Sequence, residues 1–346
     1  MTETRAATIS DVAALAGVSI STVSKAVNGR GGLSQETRER VLAAASQLSF
    51  EPSPLARGLL AARSYTVGLL TSDSFGRFTI PVMLGAEDAL GRGQISVLLC
   101  DGRGDPIREE HYVRTLLSRK VDGMIVTGRR TDRRPPVRAS LPVPVVYVMT
   151  QSENRDDLSL IPDDEQGGEI AIRHLVTLGR TRIAHITGPE RFLSARLRAA
   201  GARRVAEAAG LQLVGAEVLF GEWSEEWGRQ ATLAVLRSDP DTDAIFCGSD
   251  QMARGAADAL REAGRQVPGD VALVGYDNWD VFAEAGRPPL TTVDMRLKEL
   301  GVRAAQRLLA AIDGERIGGT ERHPCRLVIR ESTSAAQPAV VPAPAP

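Results

Sequence analysis

The chain contains few cysteines, few lysines and no long apolar run, and each shortage excludes a class of protein. Only 3 cysteines occur in 346 residues, which is too few for the disulfide framework of a small secreted domain. We expect Cys100, Cys247 and Cys325 to be buried free thiols. No apolar run approaches the ~20 residues that span a bilayer, and the N-terminus lacks a signal-peptide core. The sequence therefore predicts a soluble, cytoplasmic protein with no membrane partner.

Motifs of common enzymes on parallel sheets are also missing from the sequence. There is no G-x-S-x-G nucleophile turn, and no lysine follows a glycine as a phosphate loop requires. The segment GRGQIS from Gly91 lacks the last glycine of a dinucleotide fingerprint. The acidic run Asp163–Asp164–Glu165 allows a cation site, but its place before a helix favours stabilisation of the positive helix end. We predict no catalytic residue, no cofactor and no metal.

Length and charge indicate more than one domain. A chain of 346 residues holds two or three domains at ~150 residues each. Residues 1–63 carry seven Lys or Arg against five Asp or Glu, a net of +2, and the remainder carries 35 against 38, a net of −3. This difference in sign favours a DNA-binding head on an acidic body. A net of +2 is small for DNA binding by one copy, so we expect a homodimer.

The segment from Ser10 to Asn28, SDVAALAGVSISTVSKAVN, predicts two short helices joined by a glycine turn. Ser10 is the expected N-cap of the first helix and Ser19 that of the second, with Gly17 at the break. Val12, Leu15 and Val23 are expected to face inward, with Val41, Leu42 and Leu48 of a third helix from Ser34 to Leu48. A plain helical bundle shows the same pattern, so the helices alone leave DNA binding open.

A small, polar and basic face remains on the outer side of the second helix. In a DNA-bound dimer it would enter the major groove, where we expect Ile20, Ser21 and Lys25 to reach base edges. The other candidate DNA-binding residues, most of them hydroxyl-bearing and suited to the DNA backbone, are Thr8, Ser19, Thr22, Ser24, Asn28, Ser34 and Thr37.

The next segment, FEPSPLARGLLAAR from Phe50 to Arg63, predicts a marginal helix of about two turns. Ser53 is a suitable N-cap and Pro54 suits the first helical position, with an apolar side that includes Leu59. An ordinary interdomain linker is the alternative.

From Tyr65 onward, apolar strands alternate with amphipathic helices, a pattern typical of parallel sheets covered on both faces. So many units favour two lobes, with ligands at the carboxyl ends of the strands. The predicted fold class is an N-terminal all-α helix-turn-helix head plus an α/β two-lobed core of parallel doubly wound sheets. The predicted domains are a helical head at 1–50, a short helix or linker at 51–63, a two-lobed core at 64–333 and a disordered Pro/Ala tail at 334–346. The family resemblance that follows implies that the second is a hinge helix and that the core binds an effector and dimerises.

The chain resembles the LacI/GalR family of bacterial repressors over residues 8 to about 333. The match is carried by ISDVA from Ile9, AGVS from Ala16, TVSKAVN from Thr22 and, in the core, VDGMIV, HLVTLGRTRIAHITGP and DVALVGYDN. The resemblance implies a periplasmic-binding-protein-like core and a repressor of near-palindromic operator DNA under control of a small-molecule effector. It also implies that two hinge helices pair in the minor groove, with Arg57 on the helix and Leu59 wedged between base pairs.

The same resemblance implies an effector site between the lobes. Matching positions are Arg198, which would bind hydroxyls or carboxylates, Asp277, which would accept two hydroxyls, and Trp223, which would stack on a sugar. Met149, Ser249 and Met295 depart from the family pattern by removing polar partners, which favours an oligosaccharide, a glycoside or another partly apolar ligand. The full predicted set is Ser72, Phe78, Thr127, Met149, Arg198, Trp223, Ser249, Asp277 and Met295.

Two other functions share the two-lobed body. A sugar-binding protein without a DNA function would lack the head, and a sugar-metabolising enzyme would need motifs that the sequence lacks. The tail, SAAQPAVVPAPAP from Ser334, has no leucine heptads, so we expect a dimer rather than a tetramer. We further expect the effector to release the DNA by changing the spacing of the paired hinge segments.

Overall fold

The computed structural model describes residues 7–27, 32–50, 63–91, 95–216 and 218–334. The chain divides into two units, Met1–Thr66 and Val67–Pro346. Residues 51–62, which hold nearly all of the predicted hinge helix with Arg57 and Leu59, lie outside the described residues, as does Asn28.

The first unit contains three helices around a small core. They are α1 (Ile9–Ala16), α2 (Ile20–Val27) and α3 (Gln35–Gln47). One valine from each helix, Val12, Val23 and Val41, is fully buried at the centre. Gly17 adopts φ 65° at the break after α1, a left-handed conformation that costs glycine least.

Two expectations for this unit were wrong in detail. The first helix begins earlier than expected, so its cap is Thr8 and not Ser10: the Asp11 N–H donates to the Thr8 hydroxyl at 3.3 Å, and the Thr8 N–H donates to the Asp11 carboxylate at 2.8 Å. This reciprocal pair is a capping box. Leu15 and Leu42 are 49% and 47% exposed, because alanines of α1 and α3 occupy the inward positions instead.

The second unit is built from two six-stranded sheets, one in each lobe. The first runs β13-β7-β5-β3-β1-β2 and the second β14-β12-β11-β10-β8-β9. Numbered along the chain, the first five strands of each sheet therefore follow the order 2-1-3-4-5, and the sixth strand of the first sheet, β13, pairs parallel with β7. In this doubly wound order the ligand crevice lies where the strand order reverses, beside the first and third strands. β14 pairs antiparallel with β12.

The strands are β1 (Thr66–Thr71), β2 (Ser96–Asp101), β3 (Gly123–Thr127), β4 (Arg133–Arg134), β5 (Val145–Val148), β6 (Gln151–Ser152), β7 (Leu158–Pro162), β8 (Ile183–Thr187), β9 (Leu219–Phe220), β10 (Ala244–Cys247), β11 (Ala272–Tyr276), β12 (Thr291–Asp294), β13 (Gly319–His323) and β14 (Arg326–Val328). The helices are α4 (Thr79–Gly91), α5 (Pro106–Ser118), α6 (Asp164–Thr177), α7 (Leu193–Ala208), α8 (Glu225–Ser238), α9 (Asp250–Glu262), α10 (Asp280–Ala283) and α11 (Leu297–Ile312).

The chain passes repeatedly between the lobes. Helix α6 leaves strand β7 of the first lobe and packs on the second, whereas α11 leaves β12 of the second lobe and packs on α4 of the first. Among the described helices, none is long and apolar enough to cross a membrane. Cys100, Cys247 and Cys325 are free thiols, with Cys100 only half-buried.

Three helix pairs approach so closely that glycine is required at the contact. A Cβ on Gly201 of α7 would lie 2.0 Å from the Glu165 carbonyl oxygen, and one on Gly168 of α6 would lie 2.2 Å from that of Arg198. Similar contacts join α8 to α9 and α4 to α11. Because the α6–α7 contact carries Asp164 and Arg198, it also fixes the geometry of the cleft described below.

We expect Gly201→Ala to destabilise the core by about 1–3 kcal/mol, because the added methyl must push α7 away from the α6 backbone. Thermal unfolding of the full chain would measure this loss. Gly91→Ala is the matched control, since a Cβ added at Gly91, the last residue of α4, would meet no described atom within 4 Å. Equal stability of the two variants would contradict this account of the helix contact.

Candidate functional site

A cavity of about 380 Å³ lies between the two lobes of the core. Its walls are loops and helix starts that follow the carboxyl ends of strands: those after β1, β3 and β5 in the first lobe, and those after β8, β9, β10 and β11 in the second. The strand order reverses between β1 and β3 in one sheet and between β8 and β10 in the other. The lining residues are Phe75, Arg77, Phe78, Arg129, Arg130, Thr131, Met149, Phe192, Ser194, Arg198, Trp223, Ser249, Gln251 and Asp277.

Arg198 is held by a buried network at the base of the cavity. Its Nε donates to Asp164 Oδ1 at 2.9 Å and its Nη1 to the Gly248 carbonyl at 2.6 Å. Its Nη2 lies 2.8 Å from the same Asp164 oxygen, and its guanidinium stacks 3.6 Å from the centre of the Tyr276 ring. Burial alone would lower the pKa of Arg198, but the Asp164 carboxylate raises it, so the guanidinium stays charged.

Asp277, predicted to accept ligand hydroxyls, forms an ion pair with Arg77 across the cleft. Arg77 follows β1 in the first lobe and Asp277 follows β11 in the second, so the pair joins the lobes. The Arg77 guanidinium lies 4.9 Å from the Phe78 ring centre and 4.4 Å from that of Trp279. Burial raises the pKa of Asp277, and Arg77 opposes this shift.

Three predicted effector residues lie elsewhere. Thr127 is 2% exposed, and its hydroxyl lies 3.2 Å from that of Thr79 inside the first lobe, because the side chain of this last strand residue points into the lobe. Ser72 is absent from the cavity wall. Met295 is 1% exposed and lies beside a smaller cavity of about 110 Å³, whose wall shares Arg77, Phe78 and Asp277 with that of the main cavity. The other six, Phe78, Met149, Arg198, Trp223, Ser249 and Asp277, line the main cavity.

Several charged residues of the site are not among those predicted from the sequence. Arg129 and Arg130 lie just past the end of the apolar strand β3, separated from it by Gly128. Residues at the carboxyl end of a parallel strand are candidates for ligand contact, so this position could have identified them. Arg77 lies in the loop after β1. Its role depends on its ion pair with Asp277, which is distant along the chain and cannot be predicted from local sequence. The acidic run at 163–165 is expected to stabilise the positive end of the following helix. Asp163 is the N-cap of α6, and its Oδ1 accepts the Gln166 N–H at 3.2 Å, whereas Asp164 pairs with Arg198. No cluster of metal ligands occurs among the described side chains.

The head, by itself, presents the predicted recognition surface on α2. Ile20 is 52% exposed, and Ser21 and Lys25 are exposed as well. The Ser19 hydroxyl accepts the Thr22 N–H at 3.1 Å, and the Ser34 hydroxyl accepts the Thr37 N–H at 3.3 Å. The hydroxyls of Ser19 and Ser34, which are predicted to contact the DNA backbone, therefore also act as N-caps of α2 and α3. Ser24 is half-buried on the same helix.

Two family profiles match the chain. The profile of "Bacterial regulatory proteins, lacI family" matches residues 8–53, and that of a "Periplasmic binding protein-like domain" matches residues 172–333. Both matches fall where the structure places the three-helix head and the second half of the two-lobed core.

Full-length relatives and solved structures agree with these profiles. The ribose operon repressor of Escherichia coli K12 is 36% identical over 88% of this chain and 93% of its own length. The transcriptional regulator CelR of Thermobifida fusca is 35% identical over 95% and 97%. A Lac repressor dimer bound to operator and the anti-inducer ONPF has 30% identity and a TM-score of 0.72, covering 95% of this chain and 99% of that one. A CelR–cellobiose complex has 32% identity, a TM-score of 0.66 and coverage of 94% and 99%.

One carboxyl behind the cavity wall, that of Asp250, is fully buried. Its Oδ1 lies 2.5 Å from the Thr292 hydroxyl, and its Oδ2 accepts the Trp279 N–H at 2.7 Å. Burial, reinforced by the nearby Asp277 carboxylate, raises the pKa of Asp250 to about 8. The folded protein therefore holds a proton here that the unfolded chain releases, so stability falls as pH rises from the unfolded value near 3.8 towards about 8.

We expect Asp250→Asn to reduce this pH dependence and to stabilise the protein at pH 8 by about 1 kcal/mol or more, roughly 2 °C in Tm. The amide reproduces the protonated acid, accepting from Trp279 and donating to Thr292. Thermal unfolding across pH 5–8 would measure the slope, with the exposed Asp241→Asn as control. A slope unchanged from that of the parent protein would refute the assignment.

Proposed function

Because the chain belongs to the LacI family of bacterial regulatory proteins, which are DNA-binding repressors controlled by ligands, we propose that it is a homodimeric repressor of a near-palindromic operator. Its effector binds in the cavity between the lobes and is a carbohydrate. The observation that carries this proposal is the combination, in one chain, of the exposed α2 face with an arginine- and aromatic-lined cleft.

The head supports the DNA-binding part of the proposal. Val12, Val23 and Val41 are buried, whereas Ile20 and Lys25 are exposed. Ile20 suits contact with a thymine methyl, and Lys25 suits a guanine acceptor or a phosphate. A net charge of +2 on residues 1–63 gives one head few phosphate contacts, and two heads on one duplex double them. Binding to operator DNA would place the protein in the cytoplasm.

The homodimer follows from the same requirement for two heads on a near-palindrome. The Lac repressor relative is described as a dimer bound to operator. The alternative is a sugar-binding protein without a DNA function. No observation supports it, because the relatives are regulators and the head matches their family profile.

The cavity supports the effector part. Aromatic rings of Phe78, Phe192 and Trp223 and hydrogen-bonding groups of Ser194, Ser249 and Gln251 line one space, the combination that recognises hydroxylated rings. A Cβ on Gly188 would lie 2.1 Å from the Trp223 ring, so the absence of a side chain there lets the indole lie against the backbone.

The lobes couple binding of the effector to binding of the operator DNA. The Arg77–Asp277 pair crosses the cleft, and a ligand that competes for Asp277 changes the balance between lobe arrangements. In a dimer this alters the spacing of the two 51–63 segments and so their pairing in the minor groove. A tenfold change in operator affinity needs only ~1.4 kcal/mol of difference between the two arrangements.

We expect Lys25→Ala to weaken operator binding by about tenfold or more, because each dimer loses two base or phosphate contacts. The operator would be selected from a random duplex pool and binding measured by fluorescence anisotropy at several salt concentrations. A smaller salt slope would assign Lys25 to phosphate, and an unchanged slope with relaxed sequence preference would assign it to a base. Arg237→Ala, an exposed change on α8, is the control; parental affinity of Lys25→Ala would rule out this contact.

We expect the effector to weaken operator binding at fixed salt, because it stabilises a lobe arrangement in which the hinge segments do not pair. A thermal-shift screen of mono- and oligosaccharides would find ligands, and anisotropy with the selected operator would measure their effect. Tighter operator binding in the presence of the ligand would show that it acts as a corepressor.

A further inference from the structure

The cavity carries more positive charge than the carboxylates around it neutralise. Four arginines line it, Arg77, Arg129, Arg130 and Arg198, and Asp277 is the one carboxylate among the described residues of the wall. Asp277 pairs with Arg77, and Asp164 beneath the wall pairs with Arg198. Arg129 and Arg130 are exposed and form no ion pair with any carboxylate in the described part of the chain.

The surplus charge is concentrated at one place on the rim. The Arg130 guanidinium lies 4.3 Å from the Phe192 ring centre, and that of Arg191 lies 4.7 Å from the same centre. Arg130 follows β3 in the first lobe, and Arg191 precedes α7 in the second. Two like charges from opposite lobes thus lie close to a single ring, and an anion bound beside either guanidinium would offset their repulsion.

Two nearby carboxyls form no ion pair with these arginines. Asp132 lies outside the cavity wall, and its Oδ1 accepts the Leu193 N–H at 2.9 Å. Asp250 is fully buried, and burial raises its pKa to about 8, which keeps its carboxyl largely uncharged near neutral pH.

Arg198 adds donors at the base of the cavity. Its Nε and one N–H from each terminal nitrogen are used by Asp164 and Gly248. Since a guanidinium carries five N–H groups, one on each terminal nitrogen remains for a ligand. Charge-assisted bonds from such donors to an anionic oxygen are about twice as strong as neutral ones.

We propose that the effector is an acidic carbohydrate, whose carboxylate or phosphate binds Arg129 and Arg130 at the rim while its ring lies against Trp223 and the polar base of the cavity. This inference rests on the proposed function, in which the cavity is the effector site. It replaces the expectation of a partly apolar glycoside with a ligand class set by charge.

The test uses the full chain and sets of sugars that differ in one group: glucose, glucuronate and glucose 6-phosphate, and galactose, galacturonate and galactose 6-phosphate. Acetate and inorganic phosphate alone test the anion without the ring. Affinity is measured by calorimetry at constant ionic strength. We expect at least one acidic sugar to bind about ten times or more tighter than its neutral counterpart. Whether the sugar acid or the sugar phosphate binds tighter identifies the anionic group as carboxylate or phosphate.

Matched variants assign the preference to the rim. The double change Arg129→Gln and Arg130→Gln should weaken binding of the acidic sugar about ten- to a hundredfold. The double change Arg129→Lys and Arg130→Lys should retain part of the preference for the acidic sugar, because it keeps the positive charge. Arg237→Gln removes the same charge from exposed α8 and should change nothing. Both rim residues are exposed, so unaltered Tm of the unliganded variants would show that folding is intact.

Equal or tighter binding of the neutral sugars, no binding of any acidic sugar, or a preference that survives in the double Gln variant would overturn the inference. Operator binding, measured in parallel, separates this failure from failure of the proposed function. A neutral sugar that binds and shifts operator affinity leaves the repressor proposal standing. An acidic sugar that binds without affecting operator affinity leaves the ligand class standing and removes its role as effector.

Discussion

The buried ion pair between Arg198 and Asp164 is the interaction on which the ligand cleft depends. Asp164 begins α6, which leaves the sheet of the first lobe, and Arg198 lies on α7 of the second. Glycine at positions 168 and 201 lets these helices touch backbone to backbone, and Tyr276 donates a further bond to Asp164 at 3.0 Å. An unpaired charge at this depth would cost several kcal/mol, so the pair and the helix contact are retained together.

Above this fixed base, the cleft is closed by contacts that depend on charge. The Arg77–Asp277 pair holds the loops after β1 and β11 together, whereas Arg130 and Arg191 bring like charges towards one ring from opposite lobes. One contact favours approach of the lobes and the other opposes it. In the proposed function, a ligand that binds between the lobes shifts this balance, which is the property that an effector-controlled repressor requires.

The head could be predicted largely from local signals, since caps, a glycine turn and valines at helical spacing act within a few residues of one another. Even there, the N-cap of α1 is Thr8 and not Ser10, because the capping box of Thr8 with Asp11 satisfies more backbone groups than Ser10 alone would. Leu15 and Leu42 were wrongly expected in the core, since periodicity identifies an apolar face but not which of its members the neighbouring helices cover. The hinge segment around Leu59 stays a prediction.

The sequence by itself determined the family, the alternation of strands and helices, and six of the residues that line the cleft, because these follow from local pattern and from motifs. Only the tertiary structure decided that Asp277 faces Arg77, that Thr127 points into its own lobe and that four arginines share one cavity. Such pairings join residues far apart along the chain. Their charges act through space, and no local pattern encodes which loops the two sheets bring together.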